Sequence, residues 1–421
     1  MEPDRSAVFD GPLKVTQRPL RVLIVASHPV QYASPIFRLL AKDPRVEIRV
    51  AYCSLRGAEA HMDPDFGVEV KWDIPLLDGY PWIVMPNRSP FPRGGSFFRF
   101  VNLQVWRLIR SLKFDAVLLH TGYCSVTFWI AILAAKLTRV AVLFSTDAHG
   151  LSPRDRRKWK RWVKKLIWPR LFRLADIVIV PSTAGVSLMI SLGIPESRVV
   201  LTPYCVNNDW WTEQSRQVDR VGVRARWGVP PDAVVVLFSA KLEPWKRPSD
   251  LLHAFAKVPD CNLYLVFAGE GSLRSALESD AESLGIAKKV RFLGFVNQSR
   301  LPEVYAASDI LVLPSEYEPF GVVVNEAMLC GCCVVVSDRV GARFDLVREG
   351  ETGFVFRAGD VNVLTAVLHG ILVTPDRLRK MREAARERIT SWSPSQNVEM
   401  NVEAFNRAVT LIRCRSDKGQ T

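Results

Sequence analysis

Ser315-Glu-Tyr-Glu-Pro-Phe-Gly-Val-Val-Val-Asn-Glu-Ala-Met328 places two acids, Glu318 and Glu326, eight positions apart around a Pro-Phe-Gly turn. Just upstream, Asp309-Ile-Leu-Val-Leu-Pro314 has the apolar run of a short buried strand stopped by proline. Downstream, Phe320 to Leu329 reads as a helix beginning at Pro319-Phe320-Gly321. A strand that turns tightly into a helix leaves backbone N–H groups free at the helix start, where a phosphate can dock. Glu326 falls about six residues into the expected helix, ~9 Å along an axis that rises ~1.5 Å per residue. A diphosphate held at the helix start would leave its ribose near Glu326 and an attached sugar near Glu318. The pattern points to a nucleotide-sugar site.

Outward from this stretch, apolar runs alternate with helical segments along the whole chain. Arg21–Ser27, Val46–Tyr52, Ala116–Leu119, Val140–Phe144, Ile177–Val180 and Val199–Leu201 form one series. Val234–Phe238, Leu263–Ala268, Val290–Leu293, Ile310–Leu313 and Val334–Ser337 form a second. Such alternation predicts parallel sheets covered on both faces, hence an α/β protein with two doubly wound, Rossmann-like domains. The expected boundaries are a polar N-terminal extension over 1–19, a first domain over 20–212, a second over 213–391 and a closing segment over 392–421. Trp210 to Val229 reads as the linker, and residues 54–100 as an irregular insertion. Ligands of open α/β sheets bind beyond the carboxyl ends of the strands. Two such sheets facing each other would enclose a cleft, and each motif below falls just after a predicted strand.

A chain of 421 residues suits two domains of about 200. The first twenty residues hold no apolar run of signal-peptide length, and no stretch approaches the ~18 apolar residues of a bilayer span. The expected location is the cytoplasm. Eight cysteines are scattered without zinc-type spacing, and Cys330, Cys332 and Cys333 read as small core side chains. The net charge of +13 is compatible with nucleic acid, an anionic membrane or phosphate-bearing substrates. Nucleic acid is disfavoured because no recognised binding module accompanies the charge.

Further motifs appear in order from about residue 230 to 395: Phe238-Ser-Ala-Lys-Leu-Glu-Pro-Trp-Lys-Arg247, Val266-Phe-Ala-Gly-Glu-Gly271, Val290-Arg-Phe-Leu-Gly-Phe295, Leu301-Pro-Glu-Val-Tyr305, Val334–Gly341 and Glu349–Phe354. With the Glu-x7-Glu pair, this succession resembles the family-4 retaining glycosyltransferases of GT-B fold. The resemblance implies transfer of a hexose-type sugar from a nucleotide-diphosphate sugar, UDP favoured over GDP, to a glycan, glycolipid or lipid-linked acceptor. It implies retention of anomeric configuration, and a final helix that crosses back onto the first domain.

The residues assigned to donor binding are Lys241, Lys246, Gly294, Phe295, Val296, Glu318, Phe320, Gly321, Val322 and Glu326. Lys241 and Lys246 would compensate the leaving diphosphate; the family pattern has arginine at the first of these positions. Glu326 would take the ribose hydroxyls, Gly294 to Val296 the base, and Glu318 would lie near the transferred sugar. Gly269 and Gly271 would serve a tight turn beside the nucleotide. On the first domain the family's glycine-rich phosphate loop is replaced by Ser27-His-Pro-Val-Gln-Tyr32. His28, Gln31, Tyr32, His120 and His149 are acceptor-side candidates, with His28 equally readable as a packed loop histidine. Either Asp147 or His149 would stand in for the family's histidine near the reaction centre, so the catalytic set reads Glu318, Lys246, Lys241, Asp147 and His28. No Asp-x-Asp-like metal motif occupies a suitable loop, so no metal and no cofactor beyond the sugar nucleotide is expected.

Residues 154–173 carry ten Lys/Arg among apolar residues at helical spacing. This amphipathic helix either packs its apolar stripe on the sheet, or meets anionic phospholipid or a phosphate-bearing acceptor. The rival readings for the whole chain are a GT-B-type nucleotide-sugar epimerase and a non-catalytic protein that binds nucleotide sugars or a membrane surface.

Overall fold

The computed structural model describes residues 18–62, 67–91, 97–152, 157–259 and 262–418. Residues 1–17 of the extension, Arg154 and Arg156 of the basic segment, and Cys261 lie outside them. The six runs of the first series form strands of a seven-stranded sheet, β1 (Leu20–Ala26), β2 (Val46–Tyr52), β6 (Ala116–His120), β7 (Ala141–Ser145), β8 (Ile177–Val180) and β9 (Val199–Leu201); the seventh, β5 (Trp82–Val84), comes from the insertion read as irregular. A small antiparallel pair, β3 (His61–Met62) and β4 (Glu69–Val70), stands apart. The five runs of the second series form β10 (Val234–Ser239), β11 (Leu263–Ala268), β12 (Val290–Gly294), β13 (Ile310–Leu313) and β14 (Cys333–Ser337), and β15 (Gly353–Phe356), which the sequence reading did not include, completes a six-stranded sheet.

The orders are β5-β2-β1-β6-β7-β8-β9 and β12-β11-β10-β13-β14-β15, with every pairing parallel. In each sheet the chain first winds one way from its opening strand and then returns to that strand's other side. This reversal falls between β1 and β6 and again between β10 and β13. Helices diverge on either side of such a point and leave a crevice beyond the strand ends. Burial on both faces requires strands without a polar side: Val235 to Phe238 and Ile310 to Leu313 are all inaccessible to solvent.

The stretch read as a linker is two helices, Asn208–Arg216 and Arg220–Arg226, packed on the second domain. Trp211 is buried against Tyr305, 5.6 Å between ring centroids. Arg224, wholly buried, donates to Asp309 at 2.7 Å and to the carbonyls of Ala307, Ala233 and Pro231. Asp309 also pairs with Arg220 and Arg382 and accepts from the Val235 amide. Burial alone would raise its pKa; Arg220, Arg382, the Val235 amide and Arg224 outweigh that and hold it below the ordinary value. The closing helix, Pro394–Lys418, returns to the first domain, where Val398, Val402 and Phe405 join the core and Arg415 meets the buried Asp176 at 2.8 Å. All three cysteines around Gly331 are buried, in the core of the second domain.

Candidate active site in the interdomain cleft

The turn after β13 is held from both sides. Gly341 approaches so closely that a Cβ there would meet the Pro319 carbonyl oxygen at 1.9 Å, and its amide donates to the Glu318 carbonyl at 3.0 Å. The Ala342 amide donates to the Phe320 carbonyl at 2.8 Å. Gly321 takes φ +96°, a left-handed conformation that glycine adopts without strain. The helix itself begins at Val323 rather than at Phe320, and runs to Leu329 with no side-chain cap on Val322. Phe320 to Val322 therefore form a turn, and Glu326 is the helix's fourth residue, closer to the helix start than the sequence reading has it.

Glu318 leaves this turn into an ion pair with Lys246. Lys246 closes a short 3-10 turn, Pro244–Lys246, ended by Arg247 at φ 54°. Gly269 and Gly271 serve that lysine loop: a Cβ on Gly269 would meet the Ala240 carbonyl oxygen at 2.0 Å, and one on Gly271 the Leu242 carbonyl oxygen at 2.6 Å. Lys241 is half-buried on the same loop; like Lys246, Glu318, Phe320 and Gly321, it lines neither of the two cleft cavities described next.

On one side of the Glu318 turn lies a cavity of about 1240 Å³. Glu326, Val322, Phe295, Val296 and Gln298 line it from the second domain, and Gln31, Tyr32 and Trp72 from the first. Gly294, at φ +73°, turns the chain out of β12 into Phe295. Glu326 is buried there, accepting from the Tyr305 hydroxyl at 2.8 Å and facing the Gln298 amide at 3.5 Å. Burial pushes its pKa up to about 7, against the two hydrogen bonds. Tyr305 is itself shifted well upward, by burial first and then by the Glu326 charge, so the tyrosine keeps its proton and donates. Tyr305 and Gln298 carry no role in the sequence reading, although Tyr305 ends one of the motifs quoted there. Trp72, from the insertion, had no periodicity to reveal it.

On the other side lies a cleft of about 1900 Å³, lined by Asp147, His149, Tyr123 and cations of the helix Lys158–Phe172, and across from them by Glu316, Tyr317, Arg343 and Arg357. Burial lowers the pKa of His149, against the opposing pull of the Pro319 backbone of the Glu318 turn and of the neighbouring Asp147. Burial raises the pKa of Asp147, with His149 and Lys164 opposing and Glu318 adding to the rise. Both sequence candidates for the family's histidine thus stand within electrostatic reach of Glu318. Tyr32 approaches from the first domain, edge-on to Tyr204 at 5.1 Å, and Tyr204 lies 5.2 Å from Phe320.

His28 and His120 go elsewhere. They line a cavity of about 1000 Å³ in the first domain, which shares Tyr32 with the Glu326 cavity and Asp147 with the cleft. His28 sits 3.0 Å from the Ser27 hydroxyl, and burial, then Arg56 and Arg99, pull its pKa to about 4. His120 is solvent-exposed on the wall of this cavity, and desolvation there lowers its pKa to about 4 as well. Both are neutral at pH 7. No cluster of three or more His, Cys, Asp or Glu side chains that could hold a metal occurs among the described residues.

Residues 222–388 match the family model of glycosyl transferases group 1, and residues 20–205 that of the glycosyl transferase 4-like domain. The D-inositol 3-phosphate glycosyltransferase 2 of Catenulispora acidiphila is 34% identical over 212 residues, 48% of this chain and 49% of that one. An uncharacterised glycosyltransferase of Methanocaldococcus jannaschii is 39% identical over 231 residues, 55% of this chain and 56% of its own. The chain thus spans about half the length of the curated relatives it matches. Among solved structures, Anabaena HepE in complex with UDP and glucose superposes with a TM-score of 0.68 at 19% identity, covering 91% of this chain and 98% of that one. A glycosyltransferase of Rickettsia africae gives 0.71 at 18% identity, covering 93% and 98%. At such identities the likeness concerns the fold alone.

Proposed function

The chain belongs to the family-4 glycosyltransferases of GT-B fold, and from that membership we propose that it moves a hexose-type sugar from a nucleotide-diphosphate sugar, UDP favoured, to an acceptor hydroxyl with retention of anomeric configuration. One observation carries the reading: Glu318, on the turn between the Glu326 cavity and the cationic cleft, is ion-paired with Lys246 of the 3-10 turn Pro244–Lys246. The first cavity takes the nucleoside, with Glu326 accepting from the ribose hydroxyls and Phe295 beside the base. The diphosphate lies at the uncapped helix start, where Lys246 and the backbone amides of Phe320 to Val322 compensate the leaving charge without a divalent cation. Glu318 binds sugar hydroxyls and stabilises positive charge at the anomeric carbon. The acceptor enters from the cleft of Asp147 and His149, and domain closure excludes water.

The test is a thermal-shift panel of nucleoside diphosphates and their sugars, since a ligand of the folded state raises its stability by mass action, followed by nucleotide release from the stabilising donor. The expected result is stabilisation by one nucleotide class and loss of release in Glu318→Ala. Indifference to every nucleotide would sink the reading.

We also propose that the helix Lys158–Phe172 lies on an anionic membrane surface at the cytoplasmic face. Of its apolar residues only Trp168, Leu171 and Phe172 are buried, so the stripe is not spent on the sheet; Trp162 is 78% exposed, and Trp159, Leu166 and Ile167 are exposed beside it. Exposed tryptophans flanked by lysine and arginine suit an interfacial helix. None of the described helices is long and apolar enough to cross a membrane. Salt-sensitive co-sedimentation with phosphatidylglycerol vesicles, lost in Trp159→Ser/Trp162→Ser, is expected; no sedimentation at low salt would refute it.

A further inference from the structure

The basic helix presents two faces. At about 100° per residue, Lys158, Arg161, Lys164 and Trp168 share one side, and Trp159, Trp162, Leu166 and Ile167 the opposite one. The first side is the wall of the 1900 Å³ cleft. Lys164 lies 4.7 Å from the Trp168 ring centroid, and the Trp168 indole donates to the Tyr123 hydroxyl at 3.0 Å, so the wall has an ordered aromatic floor. The facing wall, on the second domain, carries Arg339, Arg343 and Arg357.

Among the described residues the cleft lining therefore holds six cationic side chains against three carboxylates, Asp147, Glu316 and Asp338. Two of those carboxylates are committed: Glu316 to Arg247, which is not part of the cleft lining, and Asp338 to the Ala358 amide and Arg339. Arg343 stacks on Phe344 at 3.8 Å while its buried Nε meets no acceptor, and the buried Nδ1 of His149 in the same cleft has no hydrogen-bond partner either. Buried polar atoms in folded proteins are usually hydrogen-bonded, to protein or to water, so both atoms add polar capacity to the cleft. A neutral sugar acceptor needs no such field. Nor does the donor's diphosphate account for it, since the reading above assigns that group to the helix start, whose Val322 and Val323 line the other cavity.

We propose that this cleft is a subsite for a phosphate group carried by the acceptor, gripped between Arg161 and Lys164 of the first domain and Arg343 and Arg357 of the second. The site is complete only when the two domains face each other, so the acceptor's own charge favours the closed state. This rests on the transferase reading above and adds the chemical class of the acceptor. The phosphate is either that of a soluble phosphosugar or that of a lipid headgroup. The opposed apolar face of the helix would bring a membrane-borne acceptor to the same mouth.

The experiment uses the full chain saturated with UDP, titrated calorimetrically with glucose 6-phosphate and with glucose, and separately mixed with phosphatidylglycerol or phosphatidylcholine vesicles. Glucose 6-phosphate is expected to bind at least tenfold more tightly than glucose. Arg343→Gln, and separately Arg161→Gln/Arg357→Gln, should weaken it at least tenfold while UDP affinity stays unchanged. Binding to phosphatidylglycerol vesicles alone, lost in Arg343→Gln, would support the subsite with a lipid-borne phosphate. The proposal is overturned if neither phosphate source binds, if the variants bind like the parent, or if they lose UDP in parallel, which would hand these cations to the donor. Failure of the parent chain to bind UDP at all would instead strike the transferase reading.

Discussion

Asp73, in the insertion of the first domain, accepts from both the backbone amide (3.0 Å) and the hydroxyl of Ser299 in the second domain. The neighbouring Lys71 carbonyl accepts from the Asn297 side chain at 2.8 Å, and the Trp72 ring lies 6.2 Å from that of Phe295. The insertion thus clasps the loop after β12 at the wall of the Glu326 cavity. In the proposed function this cavity takes the nucleoside, and donor entry would require the clasp to open. Asp73→Ala removes a charge-assisted contact worth on the order of 1 kcal/mol at an exposed position. The expected outcome is about fivefold faster donor dissociation by stopped-flow, with a larger radius of gyration in solution scattering that nucleotide restores.

Lys246→Ala deletes the only cation seen paired with Glu318 among the described residues. A hydrogen bond to a charged group is worth ~1.5–3 kcal/mol, so nucleoside-diphosphate affinity should fall roughly ten- to hundredfold by calorimetry. Nucleoside affinity should hold. Unchanged diphosphate affinity would remove Lys246 from the donor site.

Since Lys246 and the turn amides are proposed to compensate the leaving diphosphate, turnover in excess chelator should match turnover without it. Abolition by chelator, with recovery on adding a divalent cation, would overturn that assignment.

Asp309→Ala leaves Arg224 buried with three carbonyls but no carboxylate. Breaking a buried pair costs ~3–5 kcal/mol. The second domain should melt well below the first, and calorimetric scanning should resolve two transitions.

Much of this architecture could be read from residues alone, because parallel strands buried on both faces must be continuous apolar runs; the edge strands β5 and β15 escaped because partly exposed edge strands carry no such run. The Glu318 turn was legible because proline and glycine constrain the backbone locally. The helix start was misplaced by three residues because Phe320 to Val322 are apolar in either conformation; what makes them a turn is Gly341 pressing on Pro319, a contact distant in sequence. Tyr305 and Gln298 meet Glu326 only through the fold. Trp72 lies in an insertion whose shape comes from its contact with the other domain. The basic helix could not be oriented from its sequence, since a stripe that packs and a stripe left exposed have the same period.

Glu326 supplies a prediction whose sign can be worked through. Its pKa rises from 4.5 to about 7 in the fold. Between those values the native state holds a proton that the unfolded chain has released, so stability contributed by this group is full below 4.5 and is lost as pH rises through about 7. Donor binding runs the other way, because a carboxylate accepts two ribose hydroxyls better than a carboxylic acid does. UDP affinity should therefore increase from pH 6 to pH 8, and binding near pH 6.5 should release protons, measured by calorimetry in buffers of different ionisation enthalpy. Glu326→Gln cannot ionise: it should bind UDP more weakly at pH 8, flatten the pH profile, and remove the fall in stability above pH 5. A variant that keeps the parent's profile would place the titrating group elsewhere, with His28 and His120 poor substitutes because both are already neutral across that range.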